Sequence, residues 1–201
     1  MHLINQAQII KFHNDRSKEF KNDYKRLGWK SADSQLLRFG ALASAFPLNN
    51  SSVLDVGCGY ADFKTHLDKK FSNVSYTGID LMPAFIHEAA RRFASDTHAS
   101  FIHGDFENVE LTQVDYVFSC GALSYRNSNH YFPFSMIQKM LDTARKGIAF
   151  TMLNEENFPE HPLLKGYSKA RIQTFCRSLS NNVKLIDTYL PDDFTIVISK
   201  E

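Results

Sequence analysis

The chain has 201 residues, a length that suits one well-packed domain rather than two of ordinary size, and 43% of them are apolar. Its 23 basic and 22 acidic side chains leave a net charge of +1, which gives no global attraction to nucleic acid or to an anionic membrane. No apolar run reaches the length of a membrane span, and Asn5, Gln6, Gln8 and Lys11 interrupt the first dozen residues too often for a signal peptide.

In chain order, residues 3 to 46 read as helices. Ile9, Phe12, Phe20, Tyr24 and Leu27 form a loose apolar stripe, and a second helix over Ser31 to Phe46 carries Leu36, Leu37, Phe39, Leu42 and Phe46. From Ser51 onward two periodicities alternate. Short apolar or β-branched runs predict strands at Val53 to Val56, Val74 to Leu81, Ser100 to His103, Val114 to Ser119 and Ile148 to Leu153. Helical spacing fills the gaps at Ala61 to Phe71, Pro83 to Phe93 and Phe134 to Lys146. Such alternation is the pattern of a parallel sheet covered by helices. A last helix through Ile172, Phe175 and Leu179 leads to Val183 to Leu190, and after Pro191-Asp192-Asp193 to Phe194 to Ile198, which read as an antiparallel hairpin.

The segment Val53-Leu54-Asp55-Val56-Gly57-Cys58-Gly59-Tyr60, with Asp80 closing the next strand, has the wording of a nucleotide-cofactor cradle. Glycines at 57 and 59 let the backbone approach a ligand closely, and a helix then begins with free N–H groups aimed at it. A dinucleotide site would usually add a third glycine at position 62, where this chain has Asp62. A carboxylate there suits the cationic sulfonium and ammonium of S-adenosylmethionine (SAM) better than a pyrophosphate. Asp80 is placed to accept hydrogen bonds from ribose hydroxyls, a role common to both kinds of site.

These residues and the closing hairpin resemble the class I (Rossmann-like) SAM-dependent methyltransferases, over about residues 50 to 201. The resemblance implies an α/β fold: a doubly wound, seven-stranded, mostly parallel sheet whose last strand runs antiparallel beside the fifth. It implies a helical cover at residues 1–48 on a SAM-binding core at 49–201, with S-adenosylhomocysteine (SAH) as the product. The expected cofactor contacts are Asp55, Gly57, Cys58, Gly59, Asp80, Leu81, Ser119 and Cys120. Asp105 would accept from the adenine amino group and Phe106 would pack on the ring. Trp29 and Arg38 join this set from the cover, with the planar fork of Arg38 suited to the methionine carboxylate.

At Phe118 to Tyr125, where these enzymes position the methyl acceptor, the motif of exocyclic-amine and glutamine enzymes (Asn or Asp, Pro, Pro, aromatic) is missing, as is the Pro-Cys pair of cytosine C5 enzymes. Cys120 reads as a small buried residue. If the acceptor is a hydroxyl, a base is wanted, and the candidates are His130 and Tyr131, with Tyr125 and Asn127 positioning. Residues 154 to 168 read as a loop over the acceptor pocket, with Glu155, His161 and Tyr167 facing in. Three widely spaced cysteines, Cys58, Cys120 and Cys176, suggest neither disulfides nor zinc, so a cytoplasmic protein without a metal site is expected.

Between Lys11 and Lys30 seven basic residues face three acidic ones, which reads as a solvated helix face or as an RNA-facing strip. The preferred reading is transfer to oxygen or nitrogen of a small-molecule acceptor by a monomer or homodimer, with nucleic acid and membrane not expected as partners. An RNA or protein methyltransferase and a non-catalytic SAM-binding subunit are the alternatives.

Overall fold

The computed structural model describes residues 3–21 and 23–200. Seven strands form one sheet: β1 (Ser52–Val56), β2 (Ser75–Asp80), β3 (Ala99–His103), β4 (Val114–Ser119), β5 (Ala144–Leu153), β6 (Val183–Ile186) and β7 (Asp193–Ser199). Their spatial order is β3-β2-β1-β4-β5-β7-β6. The first five pair in parallel, and β7 runs antiparallel between β5 and β6. This is the doubly wound α/β architecture of the class I methyltransferases. Helices α1 (Leu3–Glu19), α2 (Asp23–Arg26) and α3 (Ala32–Ala43) precede the sheet, and α4 (Asp62–Asp68), α5 (Pro83–Arg92), α6 (Phe132–Thr143) and α7 (Lys169–Leu179) connect its strands.

Both faces of the central strands are covered, so side-chain alternation sorts their apolar residues into two cores. Leu54, Val56, Val117, Ile148, Phe150 and Ile196 pack with Ile137 and Met140 of α6 and Ile172 of α7. On the opposite face Val53, Tyr76, Phe118, Ala149 and Val197 meet Phe39 and Leu42 of α3 and Phe63 and Leu67 of α4. Burying each such Leu or Phe contributes about 1.5–3 kcal/mol.

Three elements differ from the sequence reading. Helix α6 stops at Thr143 and β5 starts at Ala144, because pairing with β4 at Val114↔Ala144 and with β7 at Gly147↔Ser199 outweighs the helical preference of Ala144-Arg145-Lys146. The exposed Arg145 and Lys146 instead reach Asp115. Strand β6 ends at Ile186, and Tyr189 turns back so that its hydroxyl donates to Asp193. In α3, Leu36 and Leu37 are 52% and 45% exposed, because the buried stripe runs through Gln35, Arg38, Phe39 and Leu42. A capping box between Ser31 and Ser34 fixes where that helix begins.

Candidate cofactor and acceptor site

A cavity of about 270 Å³ lies beyond the carboxyl ends of β1, β2 and β4, at the point where the strand order reverses. β1 delivers the chain into a turn with positive φ at Gly57 (+78°) and Gly59 (+56°). A Cβ on Gly57 would stand 2.6 Å from that of Ala122, so only glycine lets this turn sit against the end of β4. The turn is held by Gly57 N–H donating to Ile79 O (2.8 Å) and by Gly59 N–H donating to Asp80 Oδ2 (2.9 Å). Met82 N–H donates to Asp80 Oδ1 at 2.8 Å, so one carboxylate ties the β1 turn to the start of α5. Burial raises the Asp80 carboxyl above its ordinary range, against these backbone donors.

Asp55 lies at the floor of the cavity, buried beside the Tyr76 hydroxyl, which donates to its Oδ2 at 2.5 Å. Its Oδ1 is buried and has no hydrogen-bond partner among the described residues. Burial pushes the Asp55 carboxyl up to about 7, Tyr76 pulls it down, and Asp80 and Asp62 push it up further. Asp62 also lines the cavity, with its charge shared by Arg92 (2.9 Å) and Gln35 (3.1 Å).

Leu81, Asp105 and Phe106 complete this end. Asp105 accepts from Gln6 Nε2 of α1 at 2.8 Å, from Glu107 N–H at 3.1 Å and from Asn108 Nδ2 at 3.1 Å. Phe106 is buried under the Lys139 ammonium. Cys58 and Cys120 line the wall as neutral thiols, both pushed upward chiefly by burial. Neither is a nucleophile in that state. Ser119 does not belong to the wall: it is fully buried and donates to Val56 O at 3.0 Å, which fastens β4 to β1.

Trp29 packs so closely on Gly121 that a Cβ there would stand 3.0 Å from the indole, and it carries the Arg38 guanidinium over its ring. Arg38 lines the cavity with two of its nitrogens already taken. Nε donates to Asp193 Oδ2 at 2.7 Å and Nη1 to Ser34 O at 3.0 Å, while Nη2 makes no hydrogen bond among the described residues.

The structure separates the residues that the sequence offered for the acceptor. Tyr125 lines the cavity, and its hydroxyl meets His13 Nε2 of α1 at 2.6 Å. Burial raises the Tyr125 phenol and lowers His13 to about 4. His130 and Tyr131 lie on the surface, Tyr131 74% exposed, and neither lines the cavity. They sit in the turn that opens α6, which points outward. Asn127 accepts from Asn5 Nδ2 of α1 at 3.0 Å. Loop 154–168 contributes Phe158 and Leu164, while Glu155, His161 and Tyr167 lie off the wall. His161 Nδ1 instead accepts from Leu163 and Leu164 N–H, which shapes the loop. Sequence reasoning missed His13, Gln6 and Asn5. The one signal for His13 was its place a helical turn after Ile9, on the stripe that faces the core.

A buried, unpartnered carboxylate oxygen beside a turn that excludes side chains fits the ammonium and methionine portion of SAM. Fold and cradle together define the class, a SAM-dependent class I methyltransferase. Residues 53–148 match the family described as a methyltransferase domain. The chain is 28% identical, over 74% of its length and 93% of the relative's, to a protein of Mycobacterium tuberculosis named as a methyltransferase, Rv1506c. It is 26% identical to the malonyl-[acyl-carrier protein] O-methyltransferase of Priestia megaterium, matching 88% of this chain but spanning only 62% of that enzyme. The fold also matches magnesium protoporphyrin IX methyltransferase from Synechocystis PCC 6803, solved with bound SAM. The TM-score is 0.73 at 13% identity, covering 100% of this chain and 99% of that one. Among the described residues no helix is long and apolar enough to cross a membrane, and no group of three His, Cys, Asp or Glu side chains gathers to hold a metal.

Proposed function

We propose that the chain methylates an oxygen or nitrogen of a small, largely apolar molecule. The carrying observation is the acceptor end of the cavity, walled by Ile9 and Phe12 of α1, Leu153 of β5, and Phe158 and Leu164 of the 154–168 loop. Apolar walls with few polar groups, the Tyr125 and Ser124 hydroxyls among them, suit a largely apolar ring or chain bearing a polar group. The name of the Priestia relative, a malonyl-[acyl-carrier protein] O-methyltransferase, supports an acceptor other than nucleic acid.

In this reading Asp55, Gly57 and Gly59 hold the methionine end of SAM, Asp80 the ribose, and Leu81, Asp105 and Phe106 the adenine. When bound, SAM supplies an electrophilic methyl: the sulfur–carbon bond breaks with its electron pair left on sulfur, the acceptor atom forms the new bond, and the acceptor sheds one proton. The chain's part is to orient the acceptor, keep water out and receive that proton.

The basic strip gives the RNA reading little support, because Lys11, Arg16 and Arg26 are already engaged within the chain. Arg16 donates to Lys25 O and lies over Phe12 and Phe20, Arg26 donates to Phe20 O, and Lys11 pairs with Asp15. The test is SAH release with methyl-labelled SAM and fractionated cell extract. Label is expected in a small organic product that resists ribonuclease and protease. Label in RNA or protein would refute the small-molecule reading, and tight SAH binding without release in any fraction would favour a non-catalytic subunit.

A further inference from the structure

We propose that Tyr125 and His13 form a proton relay that opens on the acceptor, with Tyr125 the catalytic residue and His13 a positioning residue that acts through it. The proposal rests on the reading of the cavity as an acceptor site. It extends that reading by requiring an acceptor with a proton to lose, a hydroxyl or N–H rather than a carboxylate.

The direction of the relay follows from hydrogen-bond chemistry. His13 Nδ1 stands 3.1 Å from Arg26 O, and a carbonyl can only accept, so Nδ1 carries the ring hydrogen. His13 Nε2 is therefore the acceptor of its 2.6 Å contact, and the Tyr125 hydroxyl donates to it. That leaves the lone pairs of Tyr125 Oη free to receive a proton from the cavity. The α2 backbone thus selects the one tautomer that can take a proton from tyrosine.

The proton shed by the acceptor moves to Tyr125 Oη as the tyrosine's own proton passes to His13 Nε2, leaving an imidazolium. One positive charge disappears from sulfur as one appears on the ring, so the cavity keeps the same net charge throughout. When product leaves and water enters, the proton returns by the same path. Arg16 on α1 and Asp80 at the end of β2 are the charges that face the pair. Burial and Arg16 keep the resting imidazole neutral. Anchoring α1 would not need a histidine, since Asn5 and Gln6 already fasten that helix through amides.

Two arms test this in the full chain. In protein labelled with nitrogen-15 histidine, NMR is expected to show His13 protonated on Nδ1, with an Nε2 signal that moves in Tyr125→Phe. Protonation on Nε2, or a signal indifferent to that change, would overturn the relay. This arm needs no acceptor, so it judges the relay even if the small-molecule reading fails. The second arm uses single-turnover transfer of labelled methyl to the active extract fraction. Tyr125→Phe and His13→Gln are each expected to slow transfer at least tenfold while SAH affinity stays within twofold. Unchanged transfer, or slowing matched by an equal loss of SAH affinity, would reduce the pair to a structural anchor and refute the proposal.

Discussion

The Asp55 carboxyl is buried, has one unpartnered oxygen, and is held up to about 7 chiefly by burial. An unfolded aspartate titrates near 3.9, so the folded-state value is raised. The neutral form therefore contributes stability that is complete below the unfolded value and is lost as pH rises through about 7. Binding the ammonium of SAM asks for the opposite state, the carboxylate. Affinity for SAM is thus expected to rise with pH up to about 7, by as much as roughly tenfold per unit, and to level off above it. In Asp55→Asn the slope should vanish along with several-fold in affinity, both read by calorimetry in buffers of different ionisation enthalpy. A wild-type affinity flat from acid to neutral pH would show that Asp55 does not meet the ammonium. The cradle was legible in the sequence because its demands are local: glycine where φ is positive and a side chain would collide, carboxylates at strand ends. The orphaned oxygen was not legible, since it depends on Tyr76 taking the other one from a neighbouring strand.

Helix α3 is fastened to β7 by Arg38 and Asp193, a nearly dry ion pair with the Tyr189 hydroxyl donating to the same carboxylate. Removing one partner leaves a buried charge without its counterion, at a cost of about 3–5 kcal/mol. Arg38→Ala should accordingly lower Tm by roughly 10 °C. The double variant Arg38→Met with Asp193→Asn should recover most of that loss, and additive losses in thermal melts would refute the coupling. Any contact of Arg38 with the methionine carboxylate falls to Nη2 alone, the one nitrogen without a bond among the described residues. At this scale the sequence located every strand and misplaced the joints. Ala144 to Lys146 read as helix because their intrinsic preference is helical, whereas their place in β5 is imposed by β4 and β7. Leu36 and Leu37 read as core because leucine usually is, whereas the buried stripe of α3 carries Gln35 and Arg38 to partners far along the chain.

Across the whole molecule, α1 spans both ends of the cavity. Gln6 reaches Asp105 at the proposed adenine end, while Asn5 and His13 reach Asn127 and Tyr125 at the proposed acceptor end. Its partners come from strands that the sheet order places on either side of β1, so the helix can form these bonds only over a completed core. Saturating SAH is expected to slow amide hydrogen exchange in α1 more than in the central strands, whose exchange already tracks global unfolding. With SAH at about 100 times its Kd, stability should rise by about 2.7 kcal/mol. Equal protection of α1 with and without SAH would show that the helix does not respond to the cofactor. This bridging was invisible in the sequence, where His13 and Tyr125 lie 112 positions apart and neither belongs to a spaced motif.

Trp29 stands in the cavity wall between Gly121 and the Arg38 cation, and it is the only tryptophan in the chain. Its indole emission therefore comes from a single place, in the cavity wall and under a positive charge. Red-edge excitation should make the protein its own optical gauge of occupancy, reading ligand arrival in real time, before any product has been identified.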